Sequence, residues 1–477
     1  MNKKILTMFV VLTIMFSVLV GSASAQAYNT HFTTSITYVN VGSATTQTLD
    51  LLFYANPGDT APIIYALPPL APNAAGSISV GSIADVPAGF QGDAIMQSDQ
   101  PMLVTLVQIP QAAPTVKNRA LSNGFSAGAS TSMIATVLKN QYDYNTIFSV
   151  QNADSESNSV HLAFYDTSAI LQYEFDQVIE AGAPFYVDAG TLAGLPSPFN
   201  GSAVLTATKT VGGGPGVIVS SAMELGIGNT GLKAFEGVAS GGMKFYMPSA
   251  LCNAFGASTS YAIQNASLTD ATDVTVTYTD QTGAVTSETK NIGPGAKGSF
   301  LGCPTMGNGN YGAAVVEAAT QPVIAIGKAF DGAGITTAFN GVDVGYQNIA
   351  LPYVRWATNT DYNSGAKQRT FLTIQNVGAN LVEGDVITID YVDYLGNIAG
   401  THTFTVPAAG LLNGGKFNSN PTTDTGLVEF GYYGSNYGGA AVITGPTGSQ
   451  LTAVARVSSL ISVGHPVSED YNSQQVP

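Results

Sequence analysis

Four near-copies of one short segment organise the chain: Ile36-Thr-Tyr-Val-Asn40, Phe148-Ser-Val-Gln-Asn152, Ala262-Ile-Gln-Asn265 and Leu372-Thr-Ile-Gln-Asn376. Their final asparagines are 112, 113 and 111 residues apart, and chance similarity does not keep such a register over four copies. A fixed period is the signature of tandem repeats, in which each copy forms one structural unit. The sequence therefore predicts four modules of about 110 residues each.

Other features of the repeat keep pace with the asparagine. A tyrosine follows it after 13 to 15 residues, and a glycine later leads into a further apolar stretch. These residues are Tyr54, Tyr165, Tyr278 and Tyr391, and Gly92, Gly201, Gly312 and Gly439. β-Branched and polar residues alternate, as in Val274-Thr-Val-Thr-Tyr278, which is typical of a strand with one buried face.

The expected fold class is all-β, with four tandem immunoglobulin-like β-sandwich modules after a cleaved signal peptide. The sequence leaves the strand order open, because the cysteine pair lacks the immunoglobulin spacing and Trp356 lies in another repeat. The predicted boundaries are 1–25 for the signal peptide, 26–120, 121–235, 236–340 and 341–465 for repeats 1 to 4, and 466–477 for a C-terminal tail. The short, patterned junctions predict a semi-rigid rod of modules.

The N-terminus predicts export. Lys3 and Lys4 precede the almost wholly apolar stretch Ile5–Val20, and Ala23-Ser-Ala25 offers small residues for cleavage. This is the pattern of a secretory signal, and the apolar stretch is short for a membrane anchor. We therefore expect a secreted, extracellular or cell-surface protein with no membrane span after cleavage.

The charge disfavours one class of partner. The chain carries 16 Lys and Arg against 31 Asp and Glu, and loss of the two signal-peptide lysines gives 14 − 31 = −17. Such an acidic surface repels nucleic acid, so we expect no nucleic-acid partner.

The two cysteines, Cys252 and Cys303, are 51 residues apart within the third repeat. In an exported chain such a pair favours a disulfide over a metal or redox site. The bond would staple that single module.

The sequence offers little for catalysis. Gly124-Phe-Ser126-Ala-Gly128 matches a nucleophile elbow formally, but it lies between two repeats rather than between a strand and a helix. The four histidines are dispersed, so zinc has no support. We therefore predict a non-enzymatic protein with no cofactor.

Structural calcium stays open as an alternative, because several aspartates lie near strand ends, namely Asp143, Asp343, Asp361 and Asp393.

Tyr432, Tyr433 and Tyr437 cluster in a Gly-, Ser- and Asn-rich stretch of the fourth repeat. Tyrosines among small polar residues suit contact with a sugar ring or a protein, so these three form a candidate aromatic contact patch. The alternative is that they pack on their own module.

The recurring Ile-Gln-Asn strand, the Tyr-x-Asp-x-x-Gly turn and the late Gly-x-Ala-Val strand resemble repetitive exported surface proteins of filamentous bacteria. The resemblance spans residues 28–460 and implies a role in an envelope, sheath or filament. It implies no catalytic residues.

Two classes of function follow. The first is a structural protein that assembles into a filament, sheath or surface layer, and the second is an adhesin or carbohydrate-binding array that contacts a cell-surface glycan or another surface protein.

Asp470-Tyr-Asn-Ser473 repeats a motif that elsewhere begins a module, so the chain could end on a spare strand. Donation of Leu460–Tyr471, or of the arm Gln26–Thr30, to a second copy would build a head-to-tail homopolymer. Frayed termini are the alternative.

Overall fold

The computed structural model describes residues 32–55, 61–111, 118–227, 231–331, 336–364, 367–433, 436–462 and 465–477. Almost all regular structure in these ranges is strand, which confirms the all-β prediction. The exceptions are two short α-helices, α1 (Gly302–Met306) and α2 (Pro421–Thr425), and two 3₁₀ turns at Val80–Ser82 and Thr360–Ser364. None of the helices in the described part of the chain has the length and apolar content that a membrane span requires.

Module 1 contains β1 (Phe32–Asn40), β2 (Leu49–Ala55), β3 (Ile63–Ala66), β4 (Ala75–Ser79), β5 (Gly92–Ser98), β6 (Met102–Pro110) and β7 (Ala120–Asn123). Module 2 contains β8 (Thr131–Lys139), β9 (Tyr144–Asn152), β10 (Asn158–Asp166), β11 (Leu171–Ile179), β12 (Pro184–Asp188), β13 (Phe199–Lys209), β14 (Ile218–Gly226) and β15 (Leu232–Glu236).

Module 3 contains β16 (Lys244–Leu251), β17 (Ala257–Asn265), β18 (Thr272–Asp280), β19 (Val285–Ile292), β20 (Lys297–Leu301), β21 (Tyr311–Ala318), β22 (Val323–Asp331) and β23 (Thr336–Asn340). Module 4 contains β24 (Asn348–Leu351), β25 (Trp356–Ala357), β26 (Arg369–Asn376), β27 (Val386–Asp393), β28 (Ile398–Thr405), β29 (Lys416–Ser419), β30 (Glu429–Phe430), β31 (Tyr432–Tyr433), β32 (Asn436–Tyr437), β33 (Gly439–Thr444), β34 (Leu451–Ser462), β35 (His465–Asn472) and β36 (Gln474–Gln475).

Two antiparallel sheets pack face to face in each module. In module 2 the sheets have the orders β11-β10-β13-β8 and β12-β9-β14-β15, and module 3 repeats this arrangement. Val160 and Leu162 of one sheet share a core with Phe148 and Val150 of the other. Immunoglobulin domains place the first strand beside the second and the seventh beside the sixth. Here these two positions are exchanged, because β8 pairs with β13 and β14 pairs with β9.

The repeated asparagine has the same structural role in all four modules. The buried Asn152 side chain donates to the carbonyls of Glu156 and Ile179 over 2.8 and 2.9 Å and accepts the Asp154 N–H over 2.9 Å. Matching sets of three hydrogen bonds surround Asn40, Asn265 and Asn376. The residue ties the loop after its own strand to a second chain segment, which explains its recurrence at this position.

The repeated glycine is required by a close approach between two strands. A Cβ at Gly201 would lie 2.1 Å from the Tyr165 carbonyl oxygen, and one at Gly92 would lie 2.0 Å from that of Tyr54. Contacts below 3 Å essentially never occur for a real Cβ, so these positions exclude other residues.

The C-terminal segment is part of module 4, which corrects the prediction of a tail at 466–477. β35 pairs along β34, and β36 pairs with β24. The described part of the segment Leu460–Tyr471 therefore pairs within its own chain, and its donation to a second copy stays a prediction. The other proposed donor, Gln26–Thr30, and the signal peptide lie outside the described residues.

The rod prediction is also wrong, because the modules close on themselves. Each module has one strand, called here its inner strand, that faces the neighbouring modules, and these strands are β7, β15, β23 and β35. β15 lies against β7 and β23, and β35 lies against β23 and β7. The four inner strands thus contact one another in a closed cycle, and module 4 meets module 1. The predicted boundaries at 120 and 235 fall inside two of these strands, β7 and β15.

Candidate functional site

The centre of the ring is built from four equivalent residues, Asn123, Glu236, Asn340 and Asn472. Each lies on an inner strand. Across one intervening strand, each is level with the residue that stands three positions before the repeated asparagine of its own module. The repeat therefore delivers one polar side chain per module to the same level of the ring.

These four residues form hydrogen bonds to one another, alternately from a backbone N–H to a side-chain oxygen and from a side-chain amide to a backbone carbonyl. The Asn123 N–H donates to a carboxylate oxygen of Glu236, and the Asn340 N–H donates to Asn472 Oδ1 over 2.8 Å. Asn340 Nδ2 in turn donates to the Glu236 carbonyl over 3.0 Å, and Asn123 Nδ2 donates to the Asn472 carbonyl over 2.8 Å. The network passes through all four modules, so the centre fixes their mutual orientation.

Module 4 meets module 1 along a surface that we call the seam. Its polar part includes the Arg119 N–H, which donates to Glu469 Oε1 over 2.6 Å. Gln474 Nε2 donates to the Val104 carbonyl over 3.0 Å and to Asn123 Oδ1 over 3.1 Å. Two segments of module 1, β6 and the stretch around β7, are thereby held by Glu469 and Gln474 of module 4.

The seam also has an apolar part. Val107 and Leu121 of module 1 belong to the same buried cluster as the core of module 4. Val39, Ala75 and Ala440 form a second, smaller cluster across the seam. Removal of such surfaces from water stabilises the contact by about 25 cal/mol per Å². The seam is therefore a packed interface.

Glu469 is the most strongly perturbed acid of the seam. Burial, assisted by the Asp470 charge and opposed by Arg119, raises the pKa of Glu469 to about 7. Asp470 itself forms a two-pronged ion pair with Arg456, with distances of 2.8 and 2.7 Å. Near neutral pH the Glu469 carboxyl is therefore divided between its protonated and ionised forms.

A buried group of charges lies between modules 2 and 3. Glu224 is fully buried, and its two carboxylate oxygens lie 2.7 Å from Lys328 Nζ and 2.9 Å from Lys233 Nζ. Thr136 donates to the same carboxylate over 3.0 Å and accepts from Lys297 over 3.1 Å. Three lysines thus surround one carboxylate, which leaves an excess of positive charge at the junction.

The pKa values in this group reflect that imbalance. Burial alone would raise the pKa of Glu224, but Lys233 and Lys328 outweigh it and hold the pKa at about 2. Burial, assisted by the charges of Lys328 and Lys233, lowers the pKa of Lys297 to about 7. Burial also lowers the pKa of Lys328, to about 8. Lys297 is thus the lysine that gives up its proton first as pH rises.

The remaining junctions are polar as well. Tyr186 of module 2 donates to Asp93 Oδ1 of module 1 over 2.9 Å, and burial raises the pKa of Asp93. Between modules 3 and 4, Asn413 Nδ2 donates to the Tyr246 hydroxyl over 2.8 Å. These pairs were not predictable from the sequence, because the two partners lie in different repeats. One signal in the sequence is the recurring Phe-x-Gly-Val segment, which begins at Phe235 and Phe339 within the inner strands β15 and β23.

The predicted disulfide is confirmed. Cys252 and Cys303 are joined, with a Cα–Cα distance of 4.6 Å. Cys252 follows β16, and Cys303 lies in α1, so both cysteines belong to module 3.

The candidate aromatic patch is described only in part. The Tyr432 hydroxyl accepts the Gln368 N–H, and burial raises the pKa of Tyr432 well above its ordinary value. Lys367 Nζ lies 5.3 Å from the Tyr432 ring centre. The backbones of Tyr432 and Tyr437 pair, but the side chains of Tyr433 and Tyr437 lie outside the described residues. Tyr432 therefore packs on module 4, and the patch as a contact surface stays a prediction.

Within the described ranges, no group of three or more His, Cys, Asp or Glu side chains is arranged so that it could hold a metal ion. Asp393 Oδ1, one of the candidate calcium ligands, accepts the N–H groups of Leu395 and Asn397 within its own turn. The segment that contains Ser126 lies between β7 and β8, so a strand rather than a helix follows it.

Comparisons with known proteins place the chain in no family. No family model matches it, and no curated protein matches it. Among solved structures, a tetra-tandem repeat from the extending region of a large adhesion protein has 9% identity and a TM-score of 0.11, covering 93% of this chain and 95% of that one. The native conformation of E. coli alpha-2-macroglobulin has 11% identity and a TM-score of 0.11, covering 94% of this chain and 26% of that one. TM-scores this low support no conclusion about function.

Proposed function

We propose that this chain is an exported, non-catalytic structural protein of the bacterial cell surface. Its four immunoglobulin-like modules would act together as one building block of a surface layer, sheath or filament. Export through the signal peptide and association with further copies are parts of this proposal. The immunoglobulin description refers to the two packed sheets of each module and not to their strand order.

The observation that supports the proposal best is the closure of the ring. Buried charged side chains form contacts between modules, as Glu224 and Glu469 do. Such buried networks hold a unit in one arrangement, which suits a building block.

The outer strands offer surfaces for association. β3, β11, β19 and β28 end their sheets, so among the described residues each pairs on one side only. Exposed apolar side chains lie on or beside them, including Ile64, Val178, Val285 and Ile398. Unpaired strand edges are templates for pairing with another chain.

Electron microscopy of the native cell surface and of the secreted fraction tests the proposal. We expect ordered arrays or filaments whose repeating unit has the dimensions of one closed ring. A dispersed protein that instead binds a cell-surface glycan in a pull-down would contradict the structural role and favour an adhesin. Loss of a hydrolase activity in a folded Ser126→Ala variant would contradict the non-catalytic assignment.

A further inference from the structure

One of the four junctions of the ring has no covalent connection. The chain itself passes from module 1 to 2, from 2 to 3 and from 3 to 4, whereas modules 4 and 1 are joined only by the contacts of the seam. The seam is therefore the place where the ring can open without unfolding a module.

The seam nevertheless has the geometry of the connected junctions. A turn residue with positive φ in each module lies at the junction with the preceding module: Asn73 (φ 60°), Gly182 (φ 73°), Gly295 (φ 66°) and Gly414 (φ 83°).

Three of these turns have related neighbours in the preceding module. A Cβ at Gly182 would lie 2.6 Å from the Tyr54 ring of module 1, and one at Gly295 would lie 2.9 Å from the Tyr165 ring of module 2. At the seam, a Cβ at Gly396 of module 4 would lie 2.4 Å from the carbonyl oxygen of Pro72, next to Asn73. At these three junctions the strand of the repeated tyrosine, or the turn that follows it, contacts the positive-φ turn of the next module, whereas Gly414 lies against Val315 of β21.

Contacts of this kind are heterologous, since two different surfaces meet. Heterologous contacts close into rings or continue as open filaments, depending on which copy supplies the second surface. Intramolecular closure wins when the effective concentration of the attached module exceeds that of free copies. The same two surfaces serve either arrangement without any new contact.

We propose that the seam opens and re-forms between two copies of this chain, so that module 4 of one copy binds module 1 of the next. The partner is a second copy, and the interface is the one already present inside the closed ring. This inference deepens the proposed structural role, because it supplies a route from closed rings to open polymers.

Cross-linking across the seam distinguishes closed from exchanged molecules. Ala71 and Leu395 are exposed and lie on the two turns that meet there, so an Ala71→Cys, Leu395→Cys double variant places two reactive thiols at the seam. Cys252 and Cys303 are bonded to each other and do not react with maleimides. The protein is unfolded without reductant, refolded at low micromolar or near-millimolar concentration, and treated with a short bis-maleimide.

We expect internally linked monomers at low concentration and a ladder of covalent dimers and larger species at high concentration. The matched control is Ser168→Cys, on a turn of module 2, with Asn291→Cys, at the end of β19 beside the turn of module 3 that meets it. This pair should give linked monomers under both conditions. Monomers alone at every concentration would overturn the proposal, and so would equal ladders from both pairs. If ordered surface arrays exist but the ladder does not form, seam exchange is wrong while the structural role stands.

Discussion

The backbone N–H of Arg119 donates to Glu469 Oε1 over 2.6 Å, although the two residues are 350 positions apart. Arg119 precedes the inner strand of module 1, and Glu469 lies on that of module 4. This contact and those around it close four consecutive modules into a ring. The protonation state of the buried Glu469 carboxyl is therefore one of the factors on which the stability of the seam depends.

We predict that Glu469→Gln removes a pH dependence of stability. The pKa of Glu469 rises from 4.5 to about 7 on folding, so the folded chain holds the proton more tightly than the unfolded chain. The group's stabilising contribution is complete below about pH 4.5 and is lost as pH rises to about 7. A shift of this size corresponds to about 3 kcal/mol. Urea denaturation at pH 5 and pH 8 should show a smaller difference for the variant than for the native chain, and an equal difference would contradict the assignment.

We predict the opposite pH trend for Lys297→Met. Burial lowers the pKa of Lys297 from 10.5 to about 7, so the folded chain holds fewer protons than the unfolded chain between these values. The group's contribution to stability therefore rises with pH across that window, and the variant loses this rise. At pH 7 the variant should be more stable by about 1 kcal/mol or more, because a poorly compensated buried cation is gone. Thermal melts at pH 7 and 10 measure this, with Lys290→Met, at a more exposed lysine, as the control.

Glu224→Gln should be strongly destabilising. The substitution leaves Lys233, Lys297 and Lys328 without their shared counter-charge, and such a loss costs about 3–5 kcal/mol. Chemical denaturation at neutral pH checks the value. A double variant that also carries Lys328→Met should recover part of the lost stability. If the single variant is as stable as the native chain, the ion-pair network does not hold this junction.

Asn152→Ala should lower stability by several kcal/mol, because the four hydrogen bonds of a buried side chain are lost and each unsatisfied partner costs about 1–3 kcal/mol. Asn40, Asn265 and Asn376 make the equivalents of the first three bonds, so their alanine variants should also be clearly destabilised. Asn291→Ala, at an exposed asparagine bonded to Asp273, is the control and should cost little. If any of the four variants is as stable as the Asn291→Ala control, that module does not share this role.

Replacement of Cys252 and Cys303 by alanine should destabilise module 3 by about 4 kcal/mol, from the entropy of closing a loop of this length. Local unfolding is read out by hydrogen exchange, with protection lost first in β16 to β22. Non-reducing mass spectrometry of the native protein should find the two cysteine peptides linked. Two free thiols in that sample would contradict the bond.

The repeated elements were predictable because their causes are local. The period-two alternation of apolar and polar residues, the asparagine that ties a loop and the aspartate-led turn each act within a few tens of residues. The disulfide was predictable for a similar reason, since one module contains both cysteines. The position of Lys297 beside Glu224 was not, because neither residue carries any local mark of its partner.

The sequence by itself determined the strands, the period of the modules and the staple in module 3. Only the tertiary structure decided that the modules close into a ring, that the segment from His465 to Gln475 completes module 4, and that lysines and carboxylates are buried between modules. The physical reason is that strand formation follows from patterns along the chain. The direction in which one module docks on the next follows from contacts between distant residues, such as Asn123 with Asn472, which act only after both modules have folded.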